Sequence, residues 1–482
     1  MRKASRKWGS LRLGACVPVV GVLALWFGSA GAAEQAASED PTALSARAEA
    51  GDPDAQCQMG VRRSEGPEAG RDLGVARLWF RKAADQGHAE AQRRLGRLYD
   101  FVDPSIHDAA QAARWYALAV AQGDAIAENN LGNLYFDGDG VPQDAARGLA
   151  LQKSAADRGY ALAQVNLGDR YRRGDGVPVN HAEMLGYYRA AAARGDATGQ
   201  LRLGYYLYEQ GVGGAKDQAK ACALYLAAAR QGLVQAQFNV AVCYRSGEGV
   251  ARDCAAATRW YRRAASQGMA NAMFNLGHLA LGECGDQDPE EAVRWFRKAA
   301  EHGHDGAHVE LAIAYERGEG VPLDYKEAFK WYLEGAHLGN AGAEAGLGVA
   351  YYEGRGVKPD YDQAVKWLRR SAAQGDQCGL CNLGYMYDRG WGVPQDDREA
   401  MRLYRQAADH GSGQCYFNLG VFYRDGRGAT KDSAESLFWF SLADRAEIPQ
   451  ADVKADQMRK LLSPAQLAEV ERRLAQWRPT LE

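Results

Sequence analysis

The sequence predicts an all-α fold: an αα-solenoid of about eleven helix-turn-helix units, each near 36 residues, with helical caps at both ends. Three observations carry that expectation. A Leu-Gly doublet or close variant places its second residue at Gly60, Gly96, Gly132, Gly168, Gly204, Ala241, Gly277, Ala312, Gly348, Gly384 and Gly420, at intervals of 35 to 37 residues. An aromatic residue followed by a small pair recurs in the second half of each unit. Between them lies a loop of the form Gly-x-Gly-Val-Pro. A period this constant marks a repeat architecture, in which each unit buries its apolar face against its neighbours.

The first helix of a unit carries Ala-x-x-x-Leu-Gly-x-x-Tyr, as in Ala127, Leu131, Gly132 and Tyr135. Ala, Leu and Tyr are four apart and share one helix face. The loop follows, as in Gly138-Asp139-Gly140-Val141-Pro142 and Gly318-Glu319-Gly320-Val321-Pro322. Its first glycine suits a left-handed helix end, and its proline cannot continue a helix. Acids such as Asp144 and Asp324 suit the start of the second helix. That helix carries Trp79, Trp115, Trp260, Trp295, Trp331, Trp367 or Trp439, then pairs such as Ala83-Ala84 and Ala299-Ala300, then a closing glycine such as Gly87 or Gly303. Large residues set against alanines let antiparallel helices approach closely. This makes 22 repeat helices over residues 55–445.

The flanks read as caps. Residues 33–54 hold a lone helix starting at Asp40-Pro41, and residues 446–482 hold capping helices. Ser463-Pro464-Ala465-Gln466 is a capping-box start for a helix to about Trp477. Residues 1–32 differ from the rest. Arg2, Lys3, Arg6, Lys7 and Arg12 precede an apolar core from Val17 to Phe27, and Ala30-Gly31-Ala32 fits a small-x-small cleavage site. We read a signal peptide, with a periplasmic or secreted mature chain. An uncleaved anchor in the inner membrane is the alternative, although the core is short for a span. Cys16 precedes the apolar core, so a lipid anchor is not expected.

The pattern at this period resembles the Sel1-like repeat, a relative of the tetratricopeptide repeat. Departures are local: Phe101-Val102-Asp103-Pro104 replaces the loop in repeat 2, and Leu281-Gly282-Glu283-Cys284 replaces it in repeat 7. The resemblance implies a right-handed αα-superhelix whose first helices line a concave face. It also implies an adaptor role, since Sel1-like proteins are usually non-enzymatic partners in assembly, signalling, envelope processes or host interaction. Some secreted, cysteine-rich members are associated with penicillin or peptidoglycan fragments. A cell-wall fragment or β-lactam binder or hydrolase is therefore the alternative.

Chemistry is sparse. Metalloprotease, phosphate-loop and nucleophile-elbow motifs are absent, and the Gly-x-Gly loops join helix to helix rather than strand to helix. No catalytic residue, metal or cofactor is expected. The chain carries −3 overall and its first 32 residues carry +5, leaving −8 on the rest, with no basic stripe for nucleic acid. His302, His304 and His308 are read as surface residues at helix ends rather than as metal ligands. For the cysteines, symmetry about the turns favours Cys222–Cys243 and Cys254–Cys284, each joining a second helix to the next first helix. A third bridge, Cys378–Cys415, is preferred among Cys378, Cys381 and Cys415. All could instead be free, buried small residues.

One face of the first helices changes along the chain. Opposite the Ala-Leu-Tyr side, repeats 2–4 are polar, with Arg93, Arg97, Asn129, Asn133, Asp169 and Arg172. From repeat 5 onward it turns apolar: Leu201, Tyr205, Phe238, Phe274, Ile313, Tyr352, Tyr385 and Phe417. This stretch is the expected site for a protein or extended peptide from the envelope or a host. Burial between successive first helices is the competing reading. Asn130, Asn166, Asn239, Asn275, Asn382 and Asn418 flank it, either contacting a bound peptide or tying neighbouring turns together. Trp391 replaces the charged residues found between the loop glycines elsewhere. It covers an apolar neighbour or contacts a partner.

Overall fold

The structure, a computed structural model, describes residues 40–65, 71–209, 217–283, 285 and 287–480. The expected signal peptide lies outside them. The regular structure of the described residues is all helical, 25 α-helices in tandem with short π and 3-10 turns and no strand. The chain packs as two compact units, Met1–Tyr206 and Leu207–Glu482.

The N-terminal cap is α1 (Pro41–Glu49). Then come α2 (Pro53–Glu65), α3 (Leu73–Asp85), α4 (Ala89–Arg97), α5 (Ala109–Ala121), α6 (Ala125–Asp137), α7 (Ala145–Asp157), α8 (Ala161–Arg173), α9 (His181–Ala193) and α10 (Ala197–Glu209). The chain continues with α11 (Gln218–Arg230), α12 (Val234–Ser246), α13 (Cys254–Ser266), α14 (Ala270–His278), α15 (Pro289–Glu301), α16 (Asp305–Arg317) and α17 (Tyr325–His337). It ends with α18 (Ala341–Glu353), α19 (Tyr361–Ala373), α20 (Gln377–Arg389), α21 (Asp397–Asp409), α22 (Gly413–Asp425), α23 (Ser433–Arg445), and the caps α24 (Ala451–Arg459) and α25 (Pro464–Gln476). From α2 to α23, even-numbered helices are the first of each repeat and odd-numbered ones the second.

Local chemistry fixes the boundaries. Every second helix starts on a side-chain cap: Asp72, Asp108, Asp144, Asn180, Asp217, Asp253, Asp288, Asp324, Asp360, Asp396 or Asp432. Each satisfies orphan N–H groups and contributes about 1 kcal/mol. In α25 the capping box is complete, with the Gln466 amide donating to Ser463 Oγ and the Ser463 amide to Gln466 Oε1 at 3.0 Å. In repeats 2 and 7, which lack the loop motif, the first helix ends in a π-helical turn, Leu98–Val102 after α4 and Leu279–Glu283 after α14.

The glycine of the Leu-Gly doublet is a packing requirement. A Cβ at Gly384 would sit 2.8 Å from the ring of Tyr404, and one at Gly420 2.6 Å from the ring of Phe440. The aromatic ring of the second helix packs against the first helix at the bare position, which lets the pair approach closely. Successive repeats are also joined by buried amides. Gln56 donates to the Ala48 carbonyl at 3.0 Å and accepts from Gln86 at 2.8 Å. Gln92 repeats both bonds with Ala84 and Gln122. In the second unit, Gln267 donates to Gln237 at 2.9 Å and Gln374 to Glu344 at 2.9 Å. This ladder satisfies the last carbonyls of one repeat with a side chain of the next.

Candidate interaction face

The loop around Trp391 shows how repeats are seamed in the second unit. Gly390 ends α20 at φ +70°, in the left-handed region, and its N–H donates to the Met386 carbonyl. A Cβ on Gly392 would fall 2.5 Å from the Tyr361 carbonyl oxygen, so the loop lies directly on the first residue of α19. The side chain between the two glycines therefore reaches back onto the preceding repeat. Glu248 there accepts from Gln218 at 3.3 Å and from the Tyr208 hydroxyl. Arg355 sits 5.7 Å over the Tyr325 ring and 3.7 Å from Glu316. Arg427 pairs with Asp397 and, at 2.5 Å, with Asp388. Trp391 makes the same clasp with rings: it stacks on Tyr361 at 5.2 Å and stands 6.4 Å from Tyr352. These contacts give Trp391 a packing role on the preceding repeat.

The apolar face of the first helices is neither open nor closed. In the second unit Phe238, Val242, Phe274, Val309, Ile313, Val349, Tyr352, Tyr385, Phe417 and Val421 are all half-buried. The rings use one side for packing: Phe238 against Tyr261 at 5.6 Å, Phe274 against Phe296 at 5.6 Å, Phe417 against Phe440 at 5.3 Å. Part of each remains accessible. In the first unit Tyr205 is half-buried, but Leu201 is buried, with 9% of its surface accessible.

The same register in the first unit is a polar network. Asn166 donates to Asn129 at 2.9 Å, and Asn129 to Asn130 at 3.2 Å. Arg93 pairs with Asp124 at 2.9 Å, and Asp169 accepts from Tyr188 at 2.5 Å and Arg202 at 3.2 Å. Here the asparagines tie neighbouring turns together. In the second unit Asn382 accepts from Tyr352 at 3.4 Å.

Two disulfides between described residues join neighbouring repeats. Cys222 bonds Cys243, with Cα atoms 6.2 Å apart. Cys381 bonds Cys415, with Cα atoms 5.9 Å apart, while Cys378 stays free and exposed. This corrects the expected Cys378–Cys415 pairing. All three cysteines lie near the starts of adjacent first helices, but Cys381 and Cys415 are the two buried in the contact between α20 and α22. Cys378, one turn earlier, is exposed and free. Cys254 is disulfide-bonded, and Cys284, its expected partner, lies outside the described residues.

The histidines also differ from the expectation. His302 is exposed, but His304 is half-buried and His308 is buried against Trp331, so the group is not a surface feature. His304 stacks on Phe274 at 4.0 Å, and His278 meets the same ring edge-on at 4.6 Å. His278 was not among the residues singled out from the sequence. Its signal was its place right after Gly277, the register that Ile313 and Tyr385 hold in their own repeats. Among the described residues, no group of three or more His, Cys, Asp and Glu is placed to hold a metal ion. No helix among them is long and apolar enough to cross a membrane.

The Sel1 repeat model matches eleven consecutive segments, from 53–88 to 413–443. The chain belongs to the Sel1 repeat family. Its fold is also similar to the crystal structure of a protective antigen of uropathogenic Escherichia coli that displays the Sel1-like repeat fold. The two are 32% identical, over 91% of this chain and 94% of the antigen, with a TM-score of 0.72. A Sel1 repeat protein from Oxalobacter formigenes is 31% identical over 65% of this chain and 91% of its own, with a TM-score of 0.51. No curated protein matches the chain. Sel1 repeat solenoids are commonly protein-interaction scaffolds.

Proposed function

We propose that this Sel1 repeat chain is a non-catalytic adaptor, periplasmic or secreted, that holds an extended segment of a protein partner along the concave first-helix face of its second unit. One observation carries the reading. Half-exposed apolar side chains stand on the same face of six consecutive first helices, from Phe238 on α12 to Phe417 on α22. A strip of this kind suits a long, thin ligand better than a compact one, because its anchor points are spread over many repeats. Disulfides that link neighbouring repeats support export, since such bonds persist in oxidising compartments. The relative known as a protective antigen agrees with exposure outside the cytoplasm.

Ile313 is a clean probe, being half-buried on this face. A photo-crosslinking residue at Ile313 or Tyr385 is expected to capture the same envelope protein. At Leu338, 62% exposed at the end of α17, it is expected to capture none. Equal capture at all three positions, or capture at none, would contradict the proposal.

A further inference from the structure

We propose that the joint between the seventh and eighth repeats is an acid-sensitive latch: on acidification His278 and His304 take up protons, and the apolar face around Phe274 loosens. The inference goes beyond the adaptor reading and does not need it to be correct. The geometry is a sandwich built from two repeats. Phe274 and His278 belong to α14, and His304 is the residue before α16. His304 stacks on Phe274 with planes 16° apart, and His278 packs edge-on against both Phe274 and Phe296, the latter at 5.3 Å. His304 Nδ1 is buried and has no hydrogen-bond partner in the neutral ring.

The charges around the sandwich come from every packed element. From α12, Arg245 approaches His278, itself held 3.8 Å from Glu283. From α16, Glu310 Oε1 stands 3.9 Å from His278 Nε2, and Asp305 and His308 lie beside His304. From α15, Phe296 is apolar and His302 lies exposed beyond it. Burial lowers His278 to about 4, and Arg245 and His304 add to that effect. His304 is lowered as well, first by burial, with Asp305 opposing and His308 adding. Attraction between a protonated ring and the face of Phe274 returns part of the cost. It does not balance two desolvated charges that also repel each other.

Hydrogen exchange read by mass spectrometry, corrected for intrinsic rates, tests the latch. From about pH 7 to about pH 4.5, protection of Ala270–His278 and Asp305–Arg317 is expected to fall about tenfold or more. The comparison helices Ala341–Glu353 and Gly413–Asp425 should change less. The double variant His278→Phe/His304→Phe should keep its neutral-pH protection in acid. Equal loss in all four helices, or undiminished loss in the double variant, overturns the proposal. If the double variant lacks native helicity at neutral pH, NMR titration of the two rings in the unmodified chain decides. Midpoints below about 6 support the latch and midpoints above about 6 overturn it.

Discussion

At the tip of the tenth loop, Trp391 stands where Glu248, Arg355 and Arg427 stand in other repeats, and it reaches the same two places on the preceding repeat. The position is conserved in geometry rather than in chemistry. Trp391→Ala should therefore destabilise the chain by about 2 kcal/mol, below the range for a fully buried tryptophan. Trp391→Arg should cost under about 1 kcal/mol, because an arginine can stack on Tyr361 as Arg355 does on Tyr325. Urea unfolding of both variants checks the pair. Gly384→Ala should lose about 1–3 kcal/mol, since its methyl meets the Tyr404 ring at 2.8 Å. Burial lowers the His278 pKa in the folded chain from the ordinary imidazole 6.5 to about 4. The unfolded chain then binds more protons between these values, so stability is full above about pH 6.5 and falls as pH drops towards about 4. The loss should reach about 2–3 kcal/mol, and a pH series of melting curves should show it shrink in His278→Phe. The loop glycines and helix caps were legible in the sequence because they act over four residues. The clasp was not, because Trp391 meets residues 30 and 39 positions earlier in the chain, Tyr361 and Tyr352.

Helix pairs show the same division between what a chain segment decides and what its neighbours decide. The start of each second helix and the length of the C-terminal α25 followed from caps that any reader of the sequence can see. The cysteines needed more. Three thiols near the starts of two first helices give no rule for which one turns into the contact, and burial of Cys381 and Cys415 settles it. Cys381→Ala should cost about 2–4 kcal/mol, as expected for opening a loop of 34 residues. Cys378→Ser should stay within about 0.5 kcal/mol of the parent. Thermal melts with and without reductant distinguish the two, and a large loss in Cys378→Ser would point to the other pairing. The histidine sandwich escaped sequence reading for a related reason. Helical spacing puts His278 on the apolar face, but only packing between α14 and α16 brings His304 onto Phe274.

For the molecule as a whole, period alone carried the fold. Eleven marks at near-constant spacing leave little choice but tandem helix pairs, and the family match covers the same span. The change along the first helices, polar at Arg93 and Asn129 and apolar at Phe238 and Tyr385, was also visible. How far those side chains are covered was not, because one helical stripe serves a core and a groove alike. The structure gives an intermediate answer: rings anchored on one side and accessible on the other. The adaptor reading rests on that accessible side. Its most direct test is capture of envelope proteins on the immobilised chain, parent against Ile313→Glu/Tyr385→Glu, with helicity and melting confirmed equal. Loss of one dominant partner by about tenfold or more is the expected result, in line with removing central anchors from an interface. Equal recovery of every partner by parent and variant would contradict it.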